Sequence, residues 1–129
     1  MINDHAKELK RYQQLIKGYL KYWVPLLGLQ SWAQRQAVFI PSHSTDRPGA
    51  LACAHTDWVH LEFTIKFYLG MFVDIQMADD RVEAVVVHEL MHVMVAEISP
   101  GQGCERDEAA EERVVTYLTE SYLRVKYKK

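Results

Sequence analysis

The sequence predicts an α+β fold with an N-terminal helix, a short antiparallel sheet of about three strands, a buried helix and a C-terminal helix. Two periodicities support this. Residues 59–69 alternate apolar and polar side chains, as in a strand with one buried face. Residues 82–98 are apolar nearly all round, as in a helix buried in a core. The 129 residues, 49% of them hydrophobic, fit a single domain over 1–129.

An amphipathic helix is predicted at the start of the chain. Asn3 or Asp4 can cap its first turn, and apolar residues then recur at spacings of three and four. Pro25 and Gly28 end it. Lysines cover the rest of its surface, which indicates a solvated face more often than a membrane or nucleic-acid contact.

Three strands are predicted in the middle of the chain. Residues 32–40 and 50–55 form the first two, and the turn-rich segment 41–49 is an exposed loop between them. Residues 59–69 form the third, and their alternation suits an antiparallel or edge strand. Residues 70–78 read as a loop or a short strand.

Two helices are predicted to follow the strands. Asp80 and Glu83 have the spacing of a capping box at the start of the buried helix, which stops at 99–101. The last helix runs over about 105–125, with acidic residues in its first turns and basic residues at its end. Both placements suit the helix dipole.

Composition excludes several function classes. A formal net charge of −2 argues against a dedicated nucleic-acid binder, and no stretch approaches the roughly 20 apolar residues of a membrane span. The polar N-terminus lacks a secretion core. Cys53 and Cys104 have no CxxC pairing, as expected of free thiols in a reducing compartment. We therefore expect a cytosolic protein, and its oligomeric state stays open.

The buried helix contains an HExxH motif, residues 88–92. Residues four apart lie about 40° apart around a helix axis and about 6 Å along it, so His88 and His92 can reach one ion. Zinc accepts imidazole nitrogens, and a catalytic site leaves one position open for water. Glu89 lies beside the pair, where it can reach such a water. The alternative is that the histidines bond to backbone and Glu89 pairs with Arg81 or Arg113.

A catalytic zinc needs a third protein ligand, and no histidine follows His92. The downstream candidates are carboxylates of the last helix: Glu105, Asp107, Glu108, Glu111, Glu112 and Glu120. Glu111 shares an apolar stripe with four residues: Val114, Val115, Leu118 and Tyr122. Glu108 and Glu112 flank this stripe, and Glu105 and Glu120 are expected in solvent. A solvated acidic helix start is the other interpretation.

The sequence resembles the small gluzincin-type zinc metallopeptidases of bacteria and phages, and is similar in pattern to the ImmA/IrrE peptidase group. Two segments carry this resemblance: VVVHELMHVMVAEI (85–98) and DEAAEERVVTYL (107–118). The resemblance implies one Zn²⁺ per chain held by His88, His92 and Glu111, with Glu89 as general base. It also implies a sheet whose edge strand lines the cleft. Many members carry Asn or Asp four residues after the third ligand, where this chain has Val115.

The leading function is therefore a zinc-dependent peptidase acting on a peptide or protein substrate. The alternative is a non-proteolytic metal-binding module that regulates or interacts by contact. A third class, a domain that binds DNA or a partner, would use the basic first helix and the lysine tail.

Two further features of a peptidase can be sought in the sequence. Tyr117, Arg113, His55 and His60 are candidates to stabilise the oxyanion. An extended peptide could add to the strand predicted over 59–69, if that strand is a sheet edge.

Overall fold

The computed structural model of the protein describes residues 2–44, 49–57, 59–98 and 108–128. It confirms the α+β class and the order of helix, strands and helices. The elements are α1 (Ile2–Leu26), β1 (Gln34–Ile40), β2 (Ala52–Asp57), β3 (Glu62–Tyr68), α2 (Leu69–Asp74), α3 (Asp79–Ile98) and α4 (Glu108–Tyr127). No helix within these ranges has both the length and the apolar character to cross a membrane.

The sheet is mixed, with strand order β1-β3-β2. β2 pairs antiparallel with β3, but β1 pairs parallel with β3, so the expectation of a wholly antiparallel sheet is wrong for β1. β3 is the central strand, which also overturns its expected role as a peptide-binding edge. Alternation reports that one face of β3 is buried and the other is not, and a central strand shows the same pattern when the core covers only one face of the sheet.

β3 has the predicted alternation. Phe63, Ile65 and Phe67 are buried, and the side chains between them are half-buried on the other face. The strand is shorter than 59–69 because Leu61 adopts a positive φ of 53° in the turn from β2. Leu69 already begins α2, so the expected loop or short strand is wrong over 70–74, whereas residues 75–78 form a loop as expected. A helix of six residues is too short for its periodicity to be recognised.

The core lies between one face of the sheet and the helices, and α4 contributes Val115 to it. Trp23 and Trp32 are both buried within it, while Trp58 lies outside the described residues. α3 contributes apolar side chains all along its length, as expected: Val82, Val86, Val87, Leu90, Met91 and Val93. The Tyr12 hydroxyl donates to the Met77 carbonyl at 2.8 Å, which ties α1 to the start of α3.

The start of α3 differs from the predicted capping box. The helix begins at Asp79, and Glu83 lies too far inside it to cap the first turn. The Glu83 side chain is instead fully buried and accepts a hydrogen bond from Trp23 Nε1 at 2.8 Å. A tertiary contact with α1 therefore replaces the local one.

α4 is rotated relative to the expected stripe. Val115 and Thr119 face inward and are buried, whereas Val114 is 49% exposed and Tyr122 also reaches solvent. Glu120 is exposed, as predicted. The predicted start of this helix, 105–107, and Cys104 lie outside the described residues.

Candidate metal centre

The HExxH motif lies in the middle of α3, and helix geometry turns its two histidines the same way, as predicted. The ring centroids of His88 and His92 are 5.0 Å apart, with an angle of 72° between the ring planes. Their side chains are 27% and 17% exposed, so both rings lie at the edge of the core. The pair faces the first turns of α4.

α4 presents the carboxylate of Glu112 to both rings. Its Oε1 lies 2.7 Å from His92 Nε2, and its Oε2 lies 3.2 Å from His88 Nε2. These donor atoms all lie within 4.8 Å of one another. Ligand atoms at about 2.0–2.1 Å in a tetrahedral zinc shell are about 3.3 Å apart, which these separations approach. Two imidazole nitrogens and one carboxylate thus fit a zinc ion.

Glu111, the ligand that the sequence favoured, lies on the other side of the His92 ring. Its Oε2 is 3.0 Å from His92 Nδ1, and its side chain is 14% exposed. A carboxylate that accepts Nδ1–H fixes the tautomer in which Nε2 is free to bind a metal. The geometry therefore suits Glu112 as ligand and Glu111 as the residue that orients His92.

The inward position of Val115 explains why both carboxylates reach the histidines. Residues 111 and 112 lie one turn before Val115 and straddle the buried face of α4. The predicted stripe, which includes both Val114 and Val115, points toward Glu111 and leaves Glu112 at its flank, and the sequence gives no signal for the rotation of α4 away from it. Side chains 108 and 109 lie outside what is described, so the alternative ligand Glu108 is not placed.

The environment of His88 favours its neutral form. Burial lowers the pKa of His88, the negative charge of Glu112 opposes this, and the neighbouring His92 adds to the lowering. The net effect is a pKa below the ordinary value for histidine. Since a neutral imidazole is the form that binds a metal, the lowered pKa favours His88 as a ligand.

Glu89 lies beside the histidines in a groove between β2, α3 and α4. The carboxylate is buried, and it lines this groove of about 420 Å³ together with His88. The walls are largely apolar, and they include Leu51, Ala52, Ala84, Val85 and Leu123. Arg81 also lines the groove. A carboxylate and a histidine thus converge on an apolar groove.

The four candidates for oxyanion stabilisation divide into two groups. Arg113 and Tyr117 line a second groove of about 360 Å³ together with Glu112, and Tyr117 is 70% exposed. His60 pairs with Asp57 at 2.8 Å in the turn after β2. His55 contacts the thiol of Cys53 at 3.4 Å on the sheet face opposite Ala52. The structure brings only the first two beside the cluster.

Comparison with known protein families, with curated proteins and with solved structures finds no match for this chain. The resemblance to the ImmA/IrrE peptidase group therefore stays a prediction from the motif. The interpretation of the site depends on its geometry.

Proposed function

We propose that this protein is a zinc-dependent peptidase of the gluzincin type, in which His88, His92 and Glu112 hold the metal. The observation that carries the proposal is the contact of one carboxylate, Glu112, with both Nε2 atoms of the HExxH histidines. The buried Glu89 beside His88, at a groove wide enough for a side chain, supports a catalytic site over a purely structural one.

Each residue then has a defined task. When bound, zinc lowers the pKa of a water toward about 7 and polarises the substrate carbonyl. Glu89 takes the proton of the attacking water and delivers it to the leaving amine. Glu111 holds the His92 ring by accepting its Nδ1–H. Arg113 and Tyr117, on the side of Glu112, are the candidates to donate to the oxyanion.

The substrate that suits this site is an extended peptide with an apolar side chain next to the cleaved bond. The groove beside Glu89 is walled by apolar residues, and β2 on its border is an edge strand. An edge strand offers free backbone groups to a peptide. A cytosolic location and a protein substrate belong to this same proposal.

The substitution Glu89→Gln tests the peptidase. We expect the variant to keep zinc and to lose cleavage of a mixed peptide library, read by mass spectrometry, by about 10²-fold or more. Asp80→Asn, which removes one charge from an exposed position of α3 outside the groove, is the matched control and should keep both properties. Unchanged cleavage in Glu89→Gln would overturn the assignment. Zinc in parent and variant without cleavage in either would favour the non-proteolytic metal-binding module.

A further inference from the structure

The last turn of α4 inserts a lysine between aromatic rings of α1, far from the metal cluster. Four rings surround Lys126 Nζ, with centroids at 4.2 Å for Tyr22, 5.0 Å for Tyr127, 5.5 Å for Trp23 and 5.7 Å for Tyr19. Its ionic partner is the buried carboxylate of Glu83 on α3. We call Tyr19, Tyr22, Trp23 and Glu83 the lysine cage. An ammonium over aromatic faces is attracted by their quadrupoles, most strongly where water is excluded.

The buried charge of Glu83 depends on donors from two other helices. Trp23 Nε1 donates to Oε2 at 2.8 Å, Lys126 Nζ contacts the same oxygen, and the Tyr127 hydroxyl donates to Oε1. Burial alone would raise the pKa of Glu83, but these three hydrogen bonds lower it below its ordinary value. The carboxylate stays charged inside the protein because Lys126 and Tyr127 hold it.

Within the described residues, polar contacts therefore join α4 to α3 near both ends of α4. One is the pair Lys126–Glu83, and the other is the contact of Glu112 with the two histidines. The two α4 residues are 14 positions apart, about 21 Å along a helix. Two fixed points so far apart define both the height and the rotation of a rigid helix. Neighbouring side chains point about 100° apart around the helix axis. The rotation of α4 about its axis therefore determines which carboxylate faces His88 and His92.

We propose that Lys126 is a positioning residue: its insertion into the lysine cage holds α4 where Glu112 meets the Nε2 atoms of His88 and His92. The inference rests on the proposed metal site. Coupling between two sites is reciprocal, so metal binding at the cluster must strengthen the cage by the same factor by which the cage strengthens metal binding.

The first test compares Lys126→Met with the control Lys128→Met, an exposed lysine two residues further along. Zinc affinity is measured by competition with a chelator, at a temperature where circular dichroism shows each variant folded. We expect about tenfold weaker zinc binding in Lys126→Met, in the range of typical coupling between sites, and no change in Lys128→Met. Equal affinity of Lys126→Met and the parent would overturn the proposal.

The second test uses the unmodified sequence, so it stands even if Lys126→Met does not fold. Amines are acetylated for short times with and without zinc, and each lysine is quantified by mass spectrometry. The acetylation rate reports the fraction of molecules in which Lys126 is outside the lysine cage. Because the binding free energies are coupled reciprocally, zinc should lower this fraction and the rate by up to about tenfold, and leave Lys128 unchanged. If zinc binds but does not protect Lys126, the positioning role is refuted and the proposed metal site is not. A parent that binds no zinc would instead refute the proposed function on which it rests.

Discussion

Replacing each of the two neighbouring glutamates by glutamine distinguishes the metal ligand from the residue that orients it. Glu112 lies 2.7 Å and 3.2 Å from the two Nε2 atoms, whereas Glu111 lies 3.0 Å from Nδ1 of His92. Glutamine preserves the shape of both side chains and removes one charge. Glu112→Gln removes the anionic donor of the cluster, whereas Glu111→Gln keeps an amide oxygen that can still accept Nδ1–H.

The two losses should differ in size. Zinc binding free energies of about 10–16 kcal/mol for structural sites with four ligands correspond to about 3 kcal/mol per ligand. Glu112→Gln should therefore weaken zinc binding about 10²-fold or more, at about 1.4 kcal/mol per tenfold. Loss of an outer partner costs about 10–100-fold, and the retained amide acceptor places Glu111→Gln near the lower end.

Zinc affinity is measured for both variants by calorimetric titration at one pH and one ionic strength. Glu120→Gln serves as the control, since it removes the same charge from an exposed position of the same helix. Its affinity should equal that of the parent. A larger loss for Glu111→Gln than for Glu112→Gln would refute the assignment and restore Glu111 as the third ligand.

Two further predictions concern stability. Gly70→Ala should destabilise the protein by about 1–3 kcal/mol in urea unfolding, because an added Cβ would lie 2.9 Å from the Pro41 carbonyl oxygen. Its control, Gly18→Ala, meets nothing within 4 Å inside α1 and should stabilise by about 0.5–1 kcal/mol. Glu83→Gln should cost about 3 kcal/mol at neutral pH, since it breaks a buried ion pair. In the folded state the pKa of Glu83 is lowered. The pKa of Lys126 is raised, because its hydrogen bonds to Glu83 and Tyr127 outweigh the effect of burial, which lowers it. The loss of unfolding free energy in Glu83→Gln should therefore be constant between about pH 5 and pH 10, which are close to the ordinary pKa values of glutamate and lysine. This loss should shrink as pH falls through the lowered pKa of Glu83 or rises through the raised pKa of Lys126. A loss that does not change with pH would contradict the ion pair.

The parts of the fold that depend on local geometry could be predicted from the sequence. The approach of His88 to His92 follows from one turn of helix, and the buried face of β3 follows from its alternation. Neither feature requires knowledge of another element. The same reasoning fails for the parallel pairing of β1, because a strand pattern does not specify its partner.

The remaining errors of prediction arise where contacts between residues far apart in the sequence determine the structure. Glu83 has the spacing of a cap, but Trp23, 60 residues away, draws it into a buried contact. The choice between Glu111 and Glu112 depends on the rotation of α4 against α3. That rotation keeps Val115 inside, as predicted, but turns Val114 toward solvent. Successive residues of a helix point about 100° apart. An error of a fraction of a turn in the predicted rotation of α4 therefore exchanges the metal ligand with the neighbouring residue.

The central claim is that the two imidazoles of α3 and a carboxylate of α4 bind one divalent metal ion. Elemental analysis of the purified protein after loading with zinc and removal of the excess tests it most directly. We predict one equivalent of zinc per chain in the parent and none in a folded His88→Ala variant. A parent without zinc, or a His88→Ala variant that retains a full equivalent, would contradict the account.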